Sequence, residues 1–147
     1  MRWNRRQANF DLKETKARLT KAFRYLRTQN GILAKQNFMC CGGCAGSALA
    51  DRLTKENAAK PGRWNGSVYY HRQGNDDLIE RGEVYIHFGH AFGCMDSSNV
   101  IIGDDRPSDT KAIGQCAKEA LEHFGLKVEW DGSEHSCLLV KGVPITN

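Results

Sequence analysis

Three thiols stand within five residues in Cys40-Cys41-Gly42-Gly43-Cys44, and the Gly-Gly turn between them sets what they can do. Thiolates at i and i+3 across a flexible turn can chelate one metal ion, form one disulfide or exchange electrons. The Cys41-x-x-Cys44 pair has the bite of a zinc knuckle, but a structural zinc takes four ligands and the chain has no second C-x-x-C. Cys40, His71, His87, His90 and Cys94 are the candidates to complete such a site. The run from His87 to Cys94 puts two imidazoles and a thiol within eight residues. As a redox site, Cys41 and Cys44 form a dithiol at a helix N-terminus, where the dipole lowers a thiol pKa. A thioredoxin-like protein would carry a βαβ unit before the motif and a cis-proline facing it. Here a helix precedes the motif and Pro144 lies close to the C-terminus. As packing, the same residues are small thiols in a tight turn. All three readings stay open on spacing alone.

Other chemistry is sparser. Cys116 falls on an apolar helical stripe, and Cys137 alternates with Leu139 along a strand, so both read as core. His123 suits the negative end of a helix, and His135 falls in a solvated turn. His71 with Asp76 or Asp77 and Cys44 can be written as a triad on composition alone. Asp104-Asp105 with Glu80 or Glu83 can be written as a Mg²⁺ site, although acidic pairs in loops are more often solvated or capping. There is no G-x-x-x-x-G-K-[ST] phosphate loop and no strand leading into a G-x-G-x-x-G turn. The chain carries no enzyme signature.

The elements that must position these groups follow from patterning. Asp11 and Glu14 have capping-box spacing. Leu12, Leu19, Ala22, Phe23 and Leu26 then form one stripe of a helix that Asn30-Gly31 closes. A second helix is predicted from Ser47 to Ala59, stopped by Pro61-Gly62. Residues 67–72 have strand composition, Gly74 to Asp77 a turn, and Leu78 to Glu80 a single helical turn. Glu83 to Phe88 alternates, with Val84, Ile86 and Phe88 on one face and Tyr85 and His87 on the other. Val100-Ile101-Ile102 reads as a short strand, and Ser108 caps a helix that Gly125 ends. Lys127 to Trp130 and Cys137 to Val140 read as a hairpin around Asp131-Gly132. Paired strands predict an α+β fold: a mainly antiparallel sheet of about four strands with helices packed on one face.

At 147 residues, with 40% hydrophobic and 26% charged content, the chain reads as a single domain over 1–147. It divides into a basic N-terminal helix (1–30) and an α+β body (31–147). No run approaches the roughly 20 apolar residues that span a bilayer. The basic N-terminus leads into a charged helix rather than an apolar one, so the expectation is a cytoplasmic protein with reduced thiols and no membrane partner. The net charge of +4 is unevenly spread: residues 1–30 carry +7 and residues 31–147 carry −3.

The stretch Gly31 to Cys44, the Tyr69-Tyr70-His71-Arg72-Gln73 segment, the Tyr85 strand and Gly125-Leu126-Lys127-Val128-Glu129-Trp130-Asp131-Gly132 together resemble a bacterial domain-of-unknown-function family. That family combines a CCxxC element with a C-terminal GLxVxWDG hairpin. The resemblance covers about residues 30–141. Ala45 stands where the family has a glycine, and Gly74 where it tends to have an aspartate. The resemblance brings no activity with it; it implies the fold boundaries and raises His71 above the other histidines as a ligand.

The expected role is therefore a non-enzymatic binding or inhibitor-type protein, of a size and charge that suit a phage-encoded or accessory inhibitor. Its basic helix, through Arg5, Arg6, Lys13, Lys16, Lys21 and Arg24, would engage an acidic protein surface or nucleic acid. The alternative is a zinc-stabilised or thiol-redox protein using the Cys40–Cys44 cluster, with Cys41, Cys44 and His71 as metal ligands.

Overall fold

Asp11 starts the first helix, α1 (Leu12–Gln29), by accepting the Glu14 amide on its carboxylate at 3.0 Å. The computed structural model describes residues 10–40, 42–90 and 110–145. Leu19, Ala22, Phe23 and Leu26 of α1 are fully buried, as their period requires. So is Thr15, which apolar patterning does not mark. Its hydroxyl donates to the Asp11 carbonyl at 2.6 Å and accepts the Val143 amide at 2.9 Å, while the Asp11 amide donates to the Val143 carbonyl at 2.7 Å. The helix start is thereby tied to the C-terminal segment. Gly31, at φ 65°, turns the chain out of α1 into β1 (Ile32–Lys35).

The chain continues through α2 (Gly42–Ala59), β2 (Gly66–Tyr69), α3 (Arg72–Arg81), β3 (Glu83–His90), α4 (Thr110–His123), β4 (Lys127–Glu129) and β5 (Leu138–Lys141). The strands form one five-stranded sheet in the order β1-β2-β3-β5-β4. β1 and β2 are parallel, with α2 as their crossover; the other pairs are antiparallel. The fold is α+β with a mainly antiparallel sheet, as patterning predicts, and β1 is a strand that patterning does not mark.

Register sorts the sheet into two faces. Val68 pairs with Phe88, Ile86 with Leu138, and Val84 with Val140. These residues join Ile32, Ala34 and Val128 in a core with α1, with Leu78 of α3 and with Ile113, Ala117 and Leu121 of α4. α4 comes close because Gly66 and Gly114 lack side chains. A Cβ on Gly66 would stand 2.5 Å from the Gly89 carbonyl oxygen, and one on Gly114 would stand 2.7 Å from the Phe88 ring.

Patterning placed all helices on one face, and α2 departs from this. Its Leu49 and Leu53 pack with Leu33 and Trp64 in a second cluster on the opposite face, against Phe38 and Tyr69. A parallel β1–β2 pair needs a long crossover, and Leu33 is an apolar residue on the far side of β1 for it to cover. Asn57 brackets the Trp64 backbone with bonds of 2.8 and 3.0 Å, and Glu56 accepts the Trp64 indole N–H at 2.7 Å. α2 also begins five residues earlier than Ser47, so Cys44 lies in its first turn. α3 replaces the predicted turn at 74–77 because His71 serves as its N-cap. The predicted strand at 100–102 and the Ser108 cap lie outside the described residues.

Replacing Thr15 by valine keeps the shape and leaves the half-buried Val143 amide without its acceptor. We expect a loss of about 1–3 kcal/mol in urea unfolding with an unchanged m-value.

Candidate functional site

The second face of the sheet gathers groups that sequence reading kept apart. Tyr69 pairs with His87 across β2 and β3, and the Ile86–Leu138 pair sets His87 opposite Cys137 at the start of β5. A row Lys35, Tyr69, His87 therefore crosses three strands and ends at Cys137, just before β5, on the face away from α1 and α4. The Tyr69 and His87 rings stack with centroids 5.0 Å apart. The Cys137 Sγ lies 3.3 Å from His87 Nδ1. His71, just beyond β2, brings its ring within 5.2 Å of His87. Its own Nδ1 accepts the Gly74 amide at 3.4 Å as the cap of α3, which leaves Nε2 as the other ring nitrogen of that imidazole.

Tyr69, His87 and Cys137 line a cavity of about 300 Å³ bounded by Ser67, Phe88, Gly89 and the 134–136 turn. The turn is organised by Asp131, which accepts the Ser133 amide at 2.8 Å and the Ser136 hydroxyl at 3.1 Å. Burial, and then the neighbouring His71 ring, hold the His87 imidazole below its ordinary value of 6.5. Burial pushes the Cys137 thiol up. Burial raises the Tyr69 phenol too, with the nearby Cys137 adding to it. These directions give a neutral S–H and imidazole at rest, with one hydrogen shared between Sγ and Nδ1.

Sequence reading took Cys137 for core from its alternation with Leu139. That phase is inverted: Leu138 and Val140 are the fully buried members of β5, and Cys137 stands on the other face. An all-apolar run such as Cys137-Leu138-Leu139-Val140 carries no polar residue to fix its phase. His87 does carry the signal, because β3 alternates.

The cysteine turn leads into α2. Cys40 and Cys44 are the pair brought together, with their sulfurs 3.5 Å apart and both residues exposed at the start of α2. Cys41 lies outside the described residues. The approach to the turn is shaped by Asn37 and Met39, both at positive φ. It is held against β2 and the start of α3 by the Phe38 amide on the Tyr70 carbonyl at 2.9 Å and the Arg72 amide on the Met39 carbonyl at 3.0 Å. Among the described residues, no three His, Cys, Asp or Glu side chains gather closely enough to hold a metal ion, so Cys44 and His71 are not joined with a third described ligand. The other paper sites also separate. Asp77 pairs with Arg81 at 2.6 Å and Glu83 with Lys141 at 2.5 Å, while Asp104 and Asp105 lie outside the described residues. The side chain of His135 is 86% exposed, and exposed His123 packs edge-on against Phe124.

On α1 the cations divide. Arg18 bonds Glu14 at 2.8 Å and the Gly125 carbonyl at 3.0 Å, and Arg27 donates to the Ala34 carbonyl at 2.9 Å. Lys13, Lys21 and Arg24 are exposed and Lys16 is half-buried, and among the described residues none of the four meets a carboxylate in a salt bridge. Arg5 and Arg6 lie outside the described residues. No described helix is long and apolar enough to cross a membrane.

The chain belongs to the family described as Domain of unknown function (DUF6891), which matches residues 2–144. No curated protein and no solved structure matches it.

A His87 whose pKa is lowered on folding binds fewer protons in the native than in the unfolded chain. Its contribution to stability is full above 6.5 and is lost as pH falls from there toward the folded value. The melting temperature should therefore drop between about pH 7.5 and about pH 5.5, and His87→Gln should make that drop shallower. Parallel slopes for the two proteins would contradict the burial of this ring.

Proposed function

We propose that this protein is a binding protein that presents α1 to an acidic surface, on a protein or on a nucleic acid. The observation that carries the reading is the division of the α1 cations. Arg18 and Arg27 are used to hold the helix in the fold, and Lys13, Lys16, Lys21 and Arg24 are left toward solvent without an ion pair among the described residues. The same helix buries its opposite stripe, so its orientation is fixed and the charges are displayed on a rigid rod. Held charges of one sign raise the local concentration of an oppositely charged partner and speed its encounter. An inhibitor that covers an acidic surface is one form of this role.

The test replaces Lys13, Lys16, Lys21 and Arg24 by glutamate. Binding to a labelled duplex oligonucleotide and to polyglutamate is followed by anisotropy as salt rises from about 50 to about 200 mM. The unmodified protein should bind one of the two probes with an affinity that falls as salt rises. For duplex DNA the logarithmic slope should be about −0.9 per phosphate neutralised. The fourfold variant should lose that binding while keeping its fold, because none of the four side chains belongs to the buried stripe of α1. Equal binding by both proteins, or no binding to either probe, defeats the reading.

A second reading rests on the 3.5 Å approach of the Cys40 and Cys44 sulfurs. Two exposed thiols this close at a helix N-terminus suit reversible disulfide formation, or chelation of zinc with further ligands. Thiol titration with and without a chelator, together with elemental analysis, separates them. Stoichiometric zinc supports the metal-stabilised form; metal-free thiols that close to a Cys40–Cys44 disulfide under mild oxidant support the redox form. Metal-free, unreactive thiols remove both.

A further inference from the structure

We propose that Cys137 and His87 form a nucleophile and base pair that accepts the acyl group of a small, uncharged ester or thioester in the cavity on the open sheet face. This stands apart from the binding role of α1. Three observations converge on it. The sulfur and an imidazole nitrogen are 3.3 Å apart, within the reach of a thiol donor to a ring acceptor. His87 sits within β3 and is clamped by the Tyr69 stack, and Cys137 directly precedes β5, whose Leu138 pairs with Ile86, so the strand register anchors both groups. A cavity of about 300 Å³ opens onto the pair, a size for a small molecule.

The space has a specific origin. Ser67 pairs with Gly89, and a Cβ placed on Gly89 meets no atom within 4 Å. Glycine at this strand position keeps open the volume that a side chain would otherwise fill. Ser67, which lines the same cavity, brings a hydroxyl to it. Glu134, at the 134–136 turn, adds a negative charge that disfavours anionic acyl groups.

In the first step the Cys137 sulfur attacks the carbonyl carbon and an S–C bond forms. The carbonyl π electrons move to oxygen, and the S–H proton passes to His87 Nδ1. When the tetrahedral species collapses, the bond to the leaving group breaks, and the leaving group takes the proton back from His87. The products are a Cys137 thioester and the free alcohol or thiol. Water then cleaves the thioester with His87 again receiving and returning a proton, which releases the carboxylic acid and restores the thiol. The groups facing this pair are His71 and Tyr69 from the β2 side and Glu134 and His135 from the turn. The neutral resting pair fits proton transfer during attack rather than a preformed thiolate.

The experiment incubates the full chain with 4-nitrophenyl acetate, follows nitrophenolate release and locates the acetyl group by peptide mass spectrometry. We expect an initial release of about one equivalent with the label on Cys137. His87→Gln should slow that acylation about 10²–10⁴-fold. Gly89→Leu, which extends a side chain into open space, should also slow it while the melting temperature stays near that of the parent; this variant leaves the Cys–His pair untouched. Acylation of Cys137 at the parental rate in His87→Gln, or a label distributed at similar rates over Cys40, Cys44, Cys116 and Cys137, would overturn the assignment.

Discussion

Register across β2, β3 and β5 is the constraint on which the rest of this structure hangs. Val68, Val84, Ile86, Leu138 and Val140 are all fully buried on one face, and α1, α3 and α4 pack over them. Each such side chain is worth about 1.5–3 kcal/mol when taken from water to a core. A slip of one residue in any pair would turn a whole set outward, because side chains alternate along a strand. The other face has no say in this. Tyr69, His87 and Cys137 stand in a row because the residues between them are buried behind the sheet. Any chemistry the open face performs is thus positioned by apolar packing on the far side, which tolerates no sliding.

The second constraint is the parallel pairing of β1 with β2. A parallel pair requires a crossover, and α2 provides it on the face opposite the other helices. Leu33 is the reason it stays there, since that side chain projects away from Ile32 and Ala34 and needs cover. The far end of α2 is locked at Trp64, where Glu56 accepts the indole N–H while Arg52 and Arg63 pair with the same carboxylate. The hydrogen bond from Arg52, followed by that from Trp64, holds the Glu56 carboxyl below its ordinary range. The helix covers β1 and the β2 margin only. Tyr69 stands at the boundary, with its ring against the α2 cluster and stacked on His87.

Legibility in the sequence followed the strength of local patterning. The stripe of α1, the alternation of β3, the stripe of α4 and strand β4 all emerge from residues whose burial is phased by polar neighbours, and the Asp131-Gly132 turn marks the hairpin to β5. β1 was missed because Ile32-Leu33-Ala34 is buried on both faces and so shows no alternation. The same lack of contrast inverted the phase of Cys137. α3 was reduced to a turn because its cap is an imidazole, outside the Ser, Thr, Asp and Asn set that marks helix starts. Spacing favours Cys41 with Cys44; Cys41 lies outside the described residues, and among the described ones the early start of α2 brings Cys40 to Cys44. Long-range register, the property that makes the candidate site, has no signature in any single stretch of chain.

The two surfaces of interest are separated by the sheet itself. α1 packs on the apolar face, and its unpaired cations point further outward from there, while the cavity opens on the opposite face beyond α2. A partner seated on Lys13, Lys16, Lys21 and Arg24 would touch none of the residues that line the cavity. One route between them runs through β1, where Arg27 donates to the Ala34 carbonyl and the next residue, Lys35, heads the row that runs to Cys137. Lys35 is itself depressed in pKa by burial first and then by Arg52 and Arg27, so it already registers charge from α2 and α1 together. An acidic partner that drew Arg27 outward would relieve part of that repulsion. It would do so without moving a strand, because the core that fixes register lies between.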